Sequence, residues 1–198
     1  MAKVKIYGSP QSRAARALWC ARECGIEHEH VVLDMKSVKD PEFLKVNPNG
    51  KMPAMVDGDL VLFESMAINL YLAKKYGGAL WPTTVEGEGL AYQWSFWGMT
   101  EIERHLLTIV VDSFMTPPDK KNPKAVDDAK AAVQKPLAVL DDTLEGKQYL
   151  LGDTFTIADL NLASVMGWAK LVKLDMTGHG DVANWLDRCL SRPAFRGK

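Results

Sequence analysis

The chain has 198 residues, 47% of them hydrophobic and 25% charged, with a formal net charge of −1. This is an ordinary globular composition with room for one large domain or two small ones, and it offers no broad field for nucleic acid or an anionic membrane. No apolar run approaches the roughly 20 residues of a membrane helix, and Met1-Ala2-Lys3-Val4-Lys5-Ile6-Tyr7 passes directly into strand-like alternation, without the apolar core of a secretory signal.

Val4 to Tyr7 reads as a strand and Gly8-Ser9-Pro10-Gln11 as a turn. Ser12 to Glu23 is rich in strong helix formers and stops at Gly25. Within it Cys20 and Cys24 stand at helical spacing. With Cys189 they are too few and too irregular for a disulfide framework, so they read as core or surface thiols in a reducing compartment, which points to the cytoplasm. His28 to Leu33 reads as a second strand, parallel to the first across a helical crossover. Asp40 and Pro41 open a short helix. Asn47-Pro48-Asn49-Gly50 is a turn leading through Met52-Pro53 into a strand at Ala54-Met55-Val56. Asp57-Gly58-Asp59 signals a hairpin back along Leu60 to Phe63. Ser65 reads as the N-cap of a helix to Tyr76, stopped by Gly77-Gly78.

Strand, helix, strand, helix, strand, strand, helix is a thioredoxin-like α/β order, assigned to residues 1–78. Gly77 to Gly87 reads as a linker, and residues 88–198 read as an all-helical bundle. Leu90 to Val111 is expected as one long helix. Asn122 to Leu144 is expected as a second, kinked at Pro136. Thr156-Ile157-Ala158-Asp159 is a capping-box signal opening a helix to about Leu171, and a last helix spans Asp181 to Leu190.

The chemistry concentrates in two segments, Asn47-Pro48-Asn49-Gly50-Lys51-Met52-Pro53 and Phe63-Glu64-Ser65-Met66-Ala67-Ile68. The first sets a proline before a strand, where a cis bond is possible. The second opens a helix whose free N–H groups suit a carboxylate. With Tyr7-Gly8-Ser9-Pro10-Gln11-Ser12 they resemble the cytosolic glutathione transferase superfamily, and the resemblance extends over nearly the whole chain. The Gly-x-Pro-x-Ser turn is similar to that of the phi class and its bacterial relatives.

The resemblance implies a glutathione site. Met52, before a cis Pro53, would pair its backbone with the cysteinyl part of the tripeptide as a strand does. Ser65 and its N–H groups would take the γ-glutamyl carboxylate, and Glu64 the ammonium. Lys51 or Lys39 would meet the glycine carboxylate, the alternative for each being a solvated surface lysine. Ser12 matches the serine that activates the thiol, with Ser9 and Tyr7 as rivals. A free cysteine thiol titrates near ~8.5, and lowering that by about two units takes roughly 2.7 kcal/mol. A hydroxyl donor and a helix N-terminus are of that size.

The implied protein is a homodimeric, cytoplasmic glutathione transferase of detoxification chemistry, with its interface along the helices beginning near Ser65 and Leu90. It would take glutathione as co-substrate and a small hydrophobic electrophile, with Met35, Ile109, Phe114, Met115 and Trp168 as apolar candidates for the second pocket. No metal, nucleic acid or membrane is expected. The alternatives are a glutathione-dependent isomerase, dehalogenase or peroxidase, or a non-catalytic binding module. His28 and His30 share a strand face and are read as polar surface rather than metal ligands.

Overall fold

A computed structural model describes residues 4–197; Met1 to Lys3 and Lys198 lie outside the described residues. The chain divides into two compact units. The first runs to Trp81 and takes in the segment from Pro193, and the second is Pro82–Arg192.

The first unit is built on β1 (Val4–Tyr7), β2 (His28–Val31), β3 (Ala54–Asp57) and β4 (Leu60–Phe63), in the order β2-β1-β3-β4. β1 and β2 are parallel, with Val4 opposite His28. β1 and β3 are antiparallel, and so are β3 and β4, where Asp57 faces Leu60 across the Gly58-Asp59 turn. β2 is shorter than its apolar run, because the Gly8 N–H to Val31 C=O bond is the last that β1's end can offer it. Beyond it the Asp34 carboxylate accepts from the N–H groups of Lys36 and Ser37 and turns the chain.

Helix α1 is Ala14–Glu23, α2 is Pro41–Val46 and α3 is Ser65–Tyr76. α1 begins two residues later than the composition suggests, since Ser12 closes a turn of its own. Asp40 holds the N-cap position of α2 without a side-chain capping bond. Ile6, Ala17, Met55, Ile68 and Leu72 are fully buried at the helix–sheet contact. Val38, Phe43 and Ala54 form a second apolar cluster joined by Tyr7 and Met52. At the far end of β3 the Asp57 carboxylate accepts from Tyr71 Oη (2.8 Å), Tyr76 Oη (2.7 Å) and Lys75 Nζ (2.8 Å), tying the hairpin to the end of α3. Burial works to raise the Asp57 carboxyl, and the Lys75 ammonium with the two phenols overrides it and holds it below its usual range. The chain after Pro193 returns to α1: Phe195 stacks edge-on against Trp19 at 4.9 Å, and Arg22 Nε donates to Ala194 C=O at 2.6 Å.

The second unit is helical. α4 (Val85–Trp97) passes through a π-helical stretch at Gly98–Glu103 into α5 (Arg104–Phe114). The expected start near Leu90 is corrected to Val85, because Thr84 Oγ1 caps the Gly87 N–H at 3.0 Å. α6 (Pro123–Ala132) and α7 (Gln134–Leu144) replace the single kinked helix. The break falls at Val133, which puts Pro136 in the first turn of α7, where no intrahelical N–H is needed. α8 (Ile157–Leu171) carries the capping box: the Thr156 N–H donates to Asp159 Oδ2 at 2.9 Å. α8 is the core of this unit, with Ile157, Leu160, Leu162, Val165 and Met166 fully buried. α9 is Gly180–Leu190, and Trp185 sends its Nε1–H to Asp159 Oδ1 at 2.9 Å. No helix among the described residues is long and apolar enough to cross a membrane.

Candidate functional site

The turn after β1 is organised by its own hydroxyls. Ser12 Oγ donates to the Ser9 C=O at 2.7 Å and accepts from the Ala14 N–H at 3.1 Å, so it closes the turn and meets the first residue of α1. Ser9 Oγ donates to Gln11 Oε1 at 2.6 Å and accepts from the Gln11 N–H at 3.2 Å. The Ser9 N–H points at Met52 Sδ, 3.2 Å away, which joins this turn to the segment before β3. Gly8 makes that approach possible. At φ +141 it has a conformation L side chains avoid, and an added Cβ would lie 2.6 Å from Ala14 Cβ and 3.1 Å from Met52 Cβ. His30, reaching from β2, binds the Gly8 C=O through Nε2 at 2.8 Å. His28 binds the Ile26 C=O through Nδ1 at 3.0 Å, so each ring is engaged by backbone. Tyr7, the third hydroxyl candidate, packs its ring on Phe43 with centroids 6.1 Å apart.

The Met52–Pro53 peptide bond is cis. Pro53 is buried and Met52 half-buried. Among the described residues neither the N–H nor the C=O of Met52 has a hydrogen-bond partner. The Asn47 side chain fixes the approach by donating from Nδ2 to the Lys51 C=O at 2.6 Å, while its Oδ1 accepts from the Asn49 N–H. Lys51 itself is exposed. Lys39 is also exposed, at the end of a 3₁₀ turn spanning Ser37–Lys39. This turn lies near Gly50, where a Cβ would come 3.1 Å from the Val38 C=O.

The entry to α3 departs from the capping expected of Ser65. Ser65 is the first helical residue, and Glu64 takes the N-cap position with φ 73 and ψ 117. Positive φ on a non-glycine residue is uncommon, costs about 1–3 kcal/mol and gathers at ligand sites. Glu64 is exposed and Ser65 is buried. Because the first α-helical bond is from the Ile68 N–H to the Glu64 C=O, the N–H groups of residues 65–67 have no acceptor in the helix. They form a cationic end beside the Ser65 hydroxyl.

The structure thus joins the Ser9–Ser12 turn to Met52, Lys51 to Asn47, and Ser65 to α1 through Arg16, whose Nη1 is 3.4 Å from Ser65 Oγ. It shows no direct bond from Lys39, Lys51 or Glu64 to another candidate among the described residues. Arg16 and His30 were not singled out for these roles by the sequence. A buried arginine and a strand histidine look ordinary until their long-range partners are known. Cys20 is unsuited to be a nucleophile: it is fully buried, and burial, followed by the neighbouring Cys24 thiol, pushes its own thiol well above the ordinary range.

A four-stranded sheet with one parallel and two antiparallel pairings, its helices α1 to α3, and a separate helical unit define a thioredoxin-like domain followed by an all-helical domain. The model of the glutathione S-transferase N-terminal domain matches residues 2–74, and that of the C-terminal domain residues 103–193. A probable glutathione S-transferase GSTF1 of Oryza sativa subsp. japonica is 35% identical over 99% of this chain and 95% of its own. The solved structure of a glutathione S-transferase-I bound with lactoylglutathione is 29% identical and superposes with a TM-score of 0.90, covering 99% of this chain and 98% of that one. A theta class glutathione S-transferase of Xanthomonas axonopodis pv. citri, solved with glutathione bound, is 28% identical with a TM-score of 0.92, over 100% of this chain and 97% of that one. The chain belongs to the glutathione S-transferase family.

Proposed function

We propose that this protein binds glutathione in its first unit, lowers the pKa of the bound thiol with Ser12, and transfers the tripeptide to a small hydrophobic electrophile. The observation that carries the reading is the contact between the Ser9–Ser12 turn and Met52. It brings a hydroxyl-bearing turn against a backbone edge whose N–H and C=O have no partner among the described residues. That edge suits the cysteinyl part of the ligand. The free N–H groups at the start of α3, with Ser65, suit the γ-glutamyl carboxylate. Glu64 suits the ammonium, and its φ of 73 supports a role at a ligand. Lys51 and Lys39 are the cations for the glycine carboxylate.

Ser12 Oγ donates to a neutral carbonyl, that of Ser9. A thiolate is a stronger acceptor: bonds to charged groups are worth about 1.5–3 kcal/mol net, against about 0.5–1.5 for neutral pairs. Rotation of the hydroxyl from Ser9 to the sulfur is therefore favourable only once the sulfur is ionised. The Ala14 N–H can stay on Ser12 Oγ throughout and polarise it. The sulfur lone pair then forms the new C–S bond, while the leaving group departs with its bonding pair or, in an addition, a proton is taken from water.

We further propose that the protein acts as a homodimer in the cytoplasm. The interface proposed runs along α3 and α4, and the exposed apolar side chains Leu90, Tyr92 and Phe96 support it on α4. Size-exclusion chromatography with light scattering reads this part directly. The thiol is read by ultraviolet titration of bound glutathione in wild type, Ser12→Ala, Ser9→Ala and Tyr7→Phe. Ser12→Ala should raise the apparent thiol pKa most. A shift confined to Tyr7→Phe would move the activating role to the phenol, and no association with millimolar glutathione would end the enzyme reading.

A further inference from the structure

Arg16 lies within α1 and is only 3% exposed. Burial of a guanidinium is unfavourable unless its donors are engaged. Nη1 donates to Ser65 Oγ at 3.4 Å, across 49 residues of chain. This bond links α1, which follows the hydroxyl-bearing turn, to the residue that opens α3 beside its free N–H groups.

The chemistry of the pair gives the bond a direction. A guanidinium has five N–H donors, no acceptor and a charge at every accessible pH. A serine hydroxyl has one proton and two lone pairs. Against Arg16 the Ser65 oxygen can use only a lone pair, so its proton is kept for an acceptor elsewhere. A neighbour able to accept would let the hydroxyl donate into the protein and turn its lone pairs toward an incoming anion. Arg16 cannot take that proton, and its charge polarises the O–H bond in the sense that favours an anionic acceptor.

We infer that Arg16 is a positioning residue for the carboxylate end of the ligand. By donating to Ser65 Oγ it holds the Ser65 hydroxyl as a donor toward the α-carboxylate of a γ-glutamyl group. The inference rests on the glutathione reading above and deepens it: selectivity for a thiol carrying that carboxylate is set in part from α1, by a side chain that need not touch the ligand.

The test compares two ligands by calorimetry: glutathione, and γ-aminobutyryl-cysteinyl-glycine, which is the same tripeptide without the α-carboxylate. The readout is the ratio of their dissociation constants, in which any general effect on the fold cancels, while a direct contact of the guanidinium with the carboxylate would show as a further fall when Arg16→Met is added to Ser65→Ala and would overturn the inference. Arg16→Met keeps much of the stem volume and removes the donors. It should weaken glutathione about tenfold, the scale of one hydrogen bond to a charged group, and change the analogue by less than about twofold. Ser65→Ala should lower the ratio equally, and adding Arg16→Met to Ser65→Ala should lower it no further. Arg16→Lys, again a donor without an acceptor, should keep most of the wild-type ratio. Should Arg16→Met fail to fold by thermal melting, Arg16→Lys and Ser65→Ala decide the matter between them. Equal weakening of both ligands by Arg16→Met, no weakening of either, or a ratio for Arg16→Lys as low as for Ser65→Ala would overturn the inference. A wild-type protein that binds neither ligand would instead strike down the glutathione reading itself.

Discussion

Asp159 is the single carboxylate on which the helical unit is expected to depend most, and Asp159→Ala measures how much. The residue is fully buried. Its Oδ1 accepts from the Leu150 N–H at 2.8 Å and the Trp185 Nε1–H at 2.9 Å. Its Oδ2 accepts from the Thr156 N–H at 2.9 Å and the Thr156 hydroxyl at 3.1 Å. Alanine strands two backbone donors and one indole donor, since only the hydroxyl can rotate to another acceptor. Each orphaned buried donor costs about 1–3 kcal/mol, and a water entering the vacated space recovers part of that. The expected loss is about 4 kcal/mol, within the range for breaking a buried charged network. In a chain of this size each kcal/mol moves Tm by about 2–4 °C, so differential scanning calorimetry should show a fall of about 8–16 °C. Asp159→Asn keeps one acceptor oxygen and should lose about half as much. Trp185→Phe removes one donor and leaves space in the core where Trp185 is fully buried; it should lose about 2 kcal/mol alone and about 1 kcal/mol less on the Asp159→Ala background, because the hydrogen-bond partner is already gone. A loss below about 1 kcal/mol for Asp159→Ala would show that the network is not what joins Leu150, α8 and α9.

Asp57→Asn removes the charge that gathers Tyr71, Lys75 and Tyr76. The folded carboxyl lies below its ordinary value, so the unfolded chain binds more protons in the window between the two. Its contribution is therefore full above about pH 4 and is lost as the pH falls through the folded value. Urea unfolding should show wild type more stable than Asp57→Asn by about 1–3 kcal/mol at neutral pH, with the gap closing in acid; a gap independent of pH would refute the assignment. Gly8→Ala forces a side chain into a left-handed φ and against Ala14 and Met52. It should cost about 2–3 kcal/mol in thermal melts and weaken glutathione with it, whereas unchanged binding would detach the turn from the site. His30→Leu takes the donor from the Gly8 C=O and His30→Gln can restore one. Steady-state kinetics with an aryl halide should show kcat/KM down about tenfold for Leu and recovered for Gln, and equal losses would mean that only the shape of the ring matters.

Local chemistry was readable in the chain wherever the interacting groups are a few residues apart. The Thr156–Asp159 capping box closes across three residues, and the Asp57-Gly58-Asp59 hairpin declares its turn in its own residue types. The order of strands and helices in the first unit follows from runs of this kind. Where local signals compete, the sequence misled. Gly87 and Gly89 hid the start of α4, which the Thr84 cap stabilises all the same. The apolar run through Leu33 suggested a β2 longer than its neighbour strand can pair. Ser65 looked like a cap, and it became the first helical residue because Glu64 takes the left-handed turn before it.

What the sequence by itself determined, then, is which segments adopt helix or strand and which residue types stand at their ends, since those depend on hydrogen bonds and side-chain shape within one or two turns. Only the tertiary structure decided which distant groups meet: Ser9 with Met52, His30 with Gly8, Arg16 with Ser65, Trp185 with Asp159. Such pairs lie 22 to 49 residues apart. They form because burial of the apolar faces brings their elements together, and once buried, each polar group must find a partner wherever the packing has left one.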